Sequence, residues 1–275
     1  MTGRIDGTES PLIIRNTPLY PTLAKLATEQ KLVLFAGLPG VGKSLFLQQM
    51  ALLAHEAGRT LHLLQWDVTR AAFETPEIMA RYPEINGVTH AAIRKAVGLW
   101  ARNAVNEWHS NHAAAADLLI GEVPLIGNRL IELVQPIDDA VEPLLAGEQC
   151  TFVLPVPTCE VRATIEAARA QTTANPQHGK ETADATPHVL QLIWQELYQV
   201  AQALQLAGEQ PRHGADQAYD PALYAAVYQY LLQHRRCKVL GVEQVLPKVG
   251  SVYDLPMAVA ELAATAVEVR AQMTI

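Results

Sequence analysis

Cysteine is scarce in this chain: Cys150, Cys159 and Cys237 are the only three among 275 residues, and no two of them form a CxxC pair. Their wide spacing supplies neither a disulfide framework nor a cysteine-based zinc site. Long hydrophobic runs are also missing. No apolar stretch reaches the roughly 20 residues needed to span a bilayer, and the opening MTGRIDGTESP has no apolar core of the kind a secretion signal carries. These absences lead us to expect a soluble, cytoplasmic protein with no membrane partner. Positive charge is in short supply too, with 21 Lys and Arg against 28 Asp and Glu, a formal net charge of −7, and no long basic block. A protein that tracks a phosphate backbone needs the opposite balance, so nucleic acid is not an expected partner. What the chain does have is a hydrophobic content of 49%, enough for a full core. No internal repeat and no separate second core is evident, and residues 1–275 read as a single domain.

Short β-rich apolar runs alternate with longer stretches of helical period, the pattern of an α/β protein with a parallel sheet flanked by helices. Five runs read as strands: 31–37, 60–66, 118–123, 151–156 and 238–242. Most are apolar on both faces, as a buried parallel strand requires. Within the segment 67–115 a helix is expected from Thr89 to about His112, with Ile93, Val97, Trp100, Val105 and Trp108 on its core face and Arg94, Lys95 and Arg102 on a solvated basic face. Residues 157–186 read as a lid-like segment and 187–235 as a helical elaboration. Asn175–Thr186 and Gly208–Asp220 are rich in turn formers and read as linkers or mobile loops. Thr186 before Pro187 and Asp220 before Pro221 are helix-start signals. The stripes that dock these two helices are Val189, Leu192, Ile193, Leu197, Val200 and Leu204, then Leu223, Val227, Tyr230 and Leu231.

The first strand runs straight into Gly37-Leu38-Pro39-Gly40-Val41-Gly42-Lys43-Ser44-Leu45, and a helical pattern follows at once. This is a Walker A sequence in the strand-to-helix context that it requires. A phosphate chain needs many donors at close range, and a glycine-rich turn before a helix offers backbone N–H groups backed by the positive end of the helix dipole. Lys43 adds a positive charge for the β- and γ-phosphates, and the Ser44 hydroxyl suits Mg2+. ATP and Mg2+ are therefore the expected ligands. The sequence has no NKxD, TKxD or DxxG element of the kind that GTP-specific proteins use, which favours ATP over GTP.

Open α/β sheets place their sites at the carboxyl ends of the strands. The second strand ends in Trp66-Asp67-Val68-Thr69-Arg70 and the third in Ile120-Gly121-Glu122-Val123-Pro124. Asp117 opens the third strand, and five residues at about 3.3 Å each set it roughly 16 Å from Glu122. Glu122 is therefore the preferred Mg2+-side acid, with a helix-capping role as its alternative. Asp67 is a candidate general base for a hydroxyl acceptor, or else a turn or cap residue. Arg70 is a candidate for holding an anionic acceptor or the transferring phosphoryl group, or else a surface residue. Arg162 and Arg169 lie two helical turns apart on one expected face and are candidates for neutralising transferring charge. The alternative for Arg162 is an i,i+4 pair with Glu166.

On these residues the chain resembles the P-loop NTPase superfamily and, within it, the nucleotide and small-molecule kinases: adenylate kinase-like enzymes, gluconate kinase, chloramphenicol phosphotransferase and the zeta-toxin kinases. The resemblance implies a three-layer sandwich around a five-stranded parallel sheet of order 2-3-1-4-5. It also implies adenine held between the lid region and the loop at about Glu243–Tyr253, a base at Asp67, a Walker B-type acid at Glu122 and lid arginines at Arg162 and Arg169. The third strand departs from that pattern in ending Gly-Glu and not in a plain Asp. The expected activity is transfer of the γ-phosphoryl group of Mg-ATP to a small-molecule hydroxyl or phosphate acceptor. The alternative is a regulatory ATPase or switch that works with a protein partner.

Overall fold

A computed structural model describes residues 12–85, 88–176, 178, 179, 181, 185–207, 218–247 and 250–273. In chain order the elements are α1 (Tyr20–Glu29), β1 (Leu32–Ala36), α2 (Lys43–Glu56), β2 (Thr60–Leu64), α3 (Trp66–Phe73), α4 (Pro76–Arg81), α5 (Ala91–Asn111) and β3 (Asp117–Val123). They continue with α6 (Glu142–Ala146), β4 (Cys150–Pro157), α7 (Cys159–Ala174), α8 (Pro187–Ala203), α9 (Pro221–Leu231), β5 (Cys237–Val242), β6 (Ala260–Glu261) and α10 (Ala266–Met273). All strands pair in parallel, in the order β5-β4-β1-β3-β2-β6.

The expected five-stranded sheet is thus corrected to six. The run 2-3-1-4-5 lies inside the observed order, and β6 extends it beyond β2 through His62↔Ala260 and Leu63↔Glu261. Two residues are too short to leave a periodic signal, which is why the sequence did not reveal this strand.

β1 reads LVLFA and is buried at every position because helices cover both faces of the sheet. Leu32, Leu34 and Ala36 share one core with residues of α3, α5, α8 and α9, including Trp66, Trp100, Leu197 and Tyr228. Val33 and Phe35 point the other way, into a second core with Leu23 of α1 and Phe46 and Met50 of α2. The same alternation continues in β3, where Leu119 joins the first core and Leu118 and Ile120 the second.

The helix-start signals are realised. Thr186 Oγ1 accepts from Val189 N, and Asp220 Oδ1 accepts from Ala222 N and Leu223 N. On α9 the buried tyrosines are Tyr224 and Tyr228, whereas Tyr230, expected in the docking stripe, is 45% exposed. The helix is apolar around most of its circumference, so periodicity alone does not select a face. Of the two expected linkers, residues 208–217 lie outside the described residues, as do 177, 180 and 182–184; the same holds for the opening residues 1–11. Burial pushes the Cys150 thiol up to about 12 and the Cys237 thiol up to about 11, while Cys159 is exposed and donates weakly to Tyr219 O. Among the described residues no helix is long and apolar enough to cross a membrane.

The expected solvated basic face of α5 also needs correction. Lys95 is exposed, but Arg102 is 1% exposed. Its guanidinium forms a fork with Asp139 at 2.7 Å, donates to Glu142 at 2.8 Å and reaches Glu132 O at 2.6 Å. Arg235 comes from the other side of the same segment, donating to Glu142 at 2.7 Å and to Leu133 O at 3.0 Å. Two buried guanidinium groups therefore clamp residues 132–142 between α5 and the start of β5. For Glu142 burial raises the carboxyl pKa, but the hydrogen bonds from Arg235 and Arg102 outweigh that and hold it below its usual value. The hydrogen bond from Arg102 likewise lowers Asp139. Glu142→Ala leaves two buried cations short of their counter-charge and should cost about 3 kcal/mol in denaturant unfolding at pH 7. Because both carboxyls are depressed in the folded state, their contribution is complete above their ordinary carboxylate range. It is lost as pH falls through the lower folded values, and a pH series of unfolding midpoints should show that loss in the wild type but much less in the variant.

Candidate functional site

The turn between β1 and α2 sits at the carboxyl end of the most buried strand. Gly40 and Gly42 adopt φ of +82° and +92°, a region that L side chains enter only at a cost, so glycine is required at both. Between them Val41 is fully buried, and Leu38 is 1% exposed, so these apolar side chains pin the turn to the core. Glu166 of α7 and Leu190 of α8 pass just outside Gly40. The first N–H groups of a helix have no intrahelical partner. α7, α8 and α9 satisfy theirs with Thr158, Thr186 and Asp220, but α2 starts on Gly42 with no side-chain cap. Its positive end is left for whatever occupies the space in front of it.

That space is a cavity of about 600 Å3. From the turn it takes Pro39, Gly40, Gly42, Lys43, Ser44 and Leu45, while Gly37, Leu38 and Val41 lie behind its wall. Asp67, Arg70, Glu122 and Arg169 all line it, so residues from four separate segments meet as the strand-end argument anticipates. Arg162 does not line it. Its Nε donates to Glu166 at 2.7 Å, the i,i+4 alternative, and its guanidinium stacks 4.5 Å from the Tyr219 ring. Arg162 itself is 3% exposed, on the buried side of a helix whose Glu160, Ala163, Ala167 and Ala170 are exposed. Asp67 falls in the first turn of α3 with its side chain 51% exposed, 3.7 Å from Arg70, and Arg70 also donates to Glu74 at 3.2 Å.

Glu122 stands opposite Phe35 in the register of β3 on β1, one position from the strand end. Gly121 before it explains the Gly-Glu ending. A Cβ at Gly121 would lie 2.8 Å from Leu34 Cδ2 and 2.8 Å from Leu64 O, so no larger residue fits between the neighbouring strands. Asp117, the rejected alternative, lies at the opposite end of β3 against His62 at 3.5 Å.

Lys43 is the electrostatic centre of the cavity. Its ammonium is buried, and its Nζ donates to Leu38 O at 3.0 Å. Burial drives its pKa down to about 8, with Glu122 and Asp67 pulling it up and Arg169 and Arg162 pushing it further down. Four of the five expected charged partners thus act on one amine, Arg70 being the exception. Ser44 and Glu122 line the cavity beside it and offer hard oxygen donors of the kind that suits Mg2+.

Part of the cavity lining is apolar: Val245, Leu246, Pro247, Val252 and Tyr253 from the expected 243–253 loop, with Ile165 and Ala168 of α7. Gln48 of α2 holds that loop by donating to Ser251 O at 3.0 Å and Asp254 O at 2.9 Å, and Ser251 Oγ donates to the buried Glu181 at 2.8 Å. The sequence reading missed Arg129, Trp66 and Thr89, which also line the cavity. Arg129 lies in the turn-rich Gly127-Asn128 stretch just after β3, and that proximity to a strand end is the signal that would have found it.

No known protein-family model matches the chain, and no curated protein sequence matches it.

The buried amine has a measurable cost. Lys43 has a folded pKa near 8 against 10.5 in the unfolded chain, so its destabilising effect is complete below pH 8 and is relieved as pH rises toward 10.5. Lys43→Met should therefore raise stability at pH 7 by up to about 3 kcal/mol, with the gain shrinking toward zero near pH 10.5. Denaturant melts of both proteins across that range check it.

Proposed function

We propose that the protein is an ATP-dependent kinase of the P-loop type, transferring the γ-phosphoryl group of Mg-ATP to a small-molecule acceptor. The observation that carries the reading is the convergence of Lys43, Glu122, Asp67 and Arg169 on one cavity in front of an uncapped helix start. Backbone N–H groups of the 40–45 turn and the Lys43 ammonium would hold the phosphate chain. The apolar slot between Ile165, Ala168 and Tyr253 has the character that an adenine ring needs. Ser44 and Glu122 would hold Mg2+, which when bound neutralises phosphate charge. In the transfer step the acceptor oxygen forms a new bond to the γ-phosphorus and the bond to the bridging oxygen of ADP breaks. Asp67 takes the proton that a hydroxyl acceptor must lose, and its exposure at the cavity mouth leaves it open to an entering molecule. Arg169 faces the developing charge, and Arg162 acts behind it through its pair with Glu166.

The test is ADP release from Mg-ATP by the purified chain with and without fractionated pools of small metabolites, with Lys43→Ala as the blank. We expect one fraction to raise the rate and the blank to abolish it. A rate indifferent to every fraction, despite ATP binding, would replace the kinase with a switch driven by a protein partner. Asp67→Asn should lower transfer about a hundredfold or more and retain ATP binding. Because the Lys43 charge is lost above pH of about 8, ATP affinity should weaken as pH rises through that value, which titration calorimetry at pH 7 and pH 9 reads directly.

A further inference from the structure

The chain leaves β3 through a strained loop. Leu125, Asn128 and Leu130 have φ of +63°, +54° and +60°, and Gly127 between them has +73°. For leucine this conformation is strained, and it persists only where the surroundings enforce it. Here the core enforces it: Leu125 is 1% exposed and Leu130 fully buried. Leu125 and Arg129 also exchange two backbone hydrogen bonds, at 3.0 and 3.2 Å. The outcome of this expenditure is the position of Arg129, which lines the cavity.

Other cations gather at the same place. Arg70 lines the cavity from α3, and Arg94 of α5 donates from Nη1 to Gly127 O in the strained loop. A Cβ at Gly127 would lie 3.1 Å from Arg129 Nη1 and 3.0 Å from Glu196 Oε2, so the loop brings these two groups close as well. Burial pulls the Arg129 guanidinium below its usual value, opposed by Glu196 and reinforced by Arg94 and Arg70. The Nε atoms of Arg70 and Arg94 are buried and make no hydrogen bond. Apolar groups adjoin this cluster. Pro124 opens the loop, Ile193 precedes Glu196 by one turn of α8, Trp66 precedes Arg70 by one turn of α3, and all three line the cavity.

We infer that this end of the cavity is a subsite for a small molecule with an apolar body and an anionic group, a carboxylate or a phosphate, held by Arg129 and Arg70 against Trp66, Pro124 and Ile193. Guanidinium forks are matched to both anions, and the partial burial of Arg129 strengthens the contact. The inference deepens the kinase reading and rests on it for one point, that this molecule is the phosphoryl acceptor. The anion subsite itself depends only on the cluster.

The test titrates the full chain, saturated with Mg2+ and the non-hydrolysable analogue AMP-PNP, with phenyl phosphate against phenol and with benzoate against benzyl alcohol. At least one anion should bind about tenfold or more tightly than its neutral counterpart, and the pair that shows the preference tells phosphate from carboxylate. Arg129→Gln should remove the preference, and Arg129→Lys should restore only part of it. Arg70→Gln gives a second reading should Arg129→Gln not fold. Equal binding of anions and neutral counterparts by the wild type, or a preference that survives both glutamine variants, would overturn the inference. The same titrations in Lys43→Ala separate it from the nucleotide reading. An anion preference that persists there and depends on Arg129, in a wild-type chain that does not bind AMP-PNP, would leave this subsite standing and remove the kinase. AMP-PNP binding without any anion preference would do the reverse.

Discussion

Holding an ammonium group out of water at the end of a strand buried on both faces is expensive, and much of this molecule is arranged around that cost. β1 lies in the middle of the sheet, so the turn that follows it opens onto the strand-end crevice and not onto solvent. Lys43, the first residue of α2, shares that crevice with a helix start that no side chain caps. Leu38 O accepts one hydrogen bond from the amine, and Glu122 and Asp67 supply partial counter-charge, yet Arg169 and Arg162 push the other way. An arrangement that concentrates buried donors and opposes them only weakly lowers its free energy when an anion enters. The same groups therefore account both for the electrostatic cost of this crevice and for the proposed attraction to a phosphate chain.

The path of the chain out of β3 turns that local cost into a larger architecture. Gly121 lets β3 lie close between β1 and β2, Glu122 stands at the cavity, and the loop that follows bends through left-handed leucines to present Arg129. Immediately beyond, Arg102 and Arg235 clamp residues 132–142. A strained loop holds its shape only between fixed ends. One end here is a central strand and the other a buried ionic network, so the clamp, which does not itself line the cavity, supports the same loop that presents Arg129.

The sequence made much of this legible, and what it hid was hidden for physical reasons. Strands β1 to β4 were readable because interior parallel strands are continuous apolar runs with sharp turn signals, and the edge strand β5 because its short Val239-Leu240-Gly241-Val242 run follows a clear helix. The 37–45 turn was readable because φ near +90° leaves glycine little competition. The meeting of Asp67, Arg70, Glu122 and Arg169 followed from strand ends alone. Arg102 was misread because hydrophobic periodicity assigns every arginine to solvent, whereas burial of this one depends on carboxylates some 37 and 40 positions away. Arg129 was missed because left-handed leucines carry no local signature; only the tertiary burial of Leu125 and Leu130 makes the loop possible. Arg162 lay between its two readings, paired with Glu166 as the helical spacing allowed yet buried and still within electrostatic reach of Lys43.

Charge is distributed against the grain of the whole chain. The formal net charge is −7, yet Lys43 and Arg169 stand at one part of the cavity and Arg70 and Arg129 at another, with Asp67 at the mouth. A negative exterior repels anions from most of the surface, while low-dielectric walls focus the field of the few cations inside. Apolar groups such as Trp66, Ile193 and Tyr253 share the lining, so a guest must bring both negative charge and greasy surface to satisfy it. Each cationic part alone would invite a small anion. Under the proposed kinase reading, their placement in one cavity of about 600 Å3 would bring two anionic molecules side by side, as a transfer between them requires.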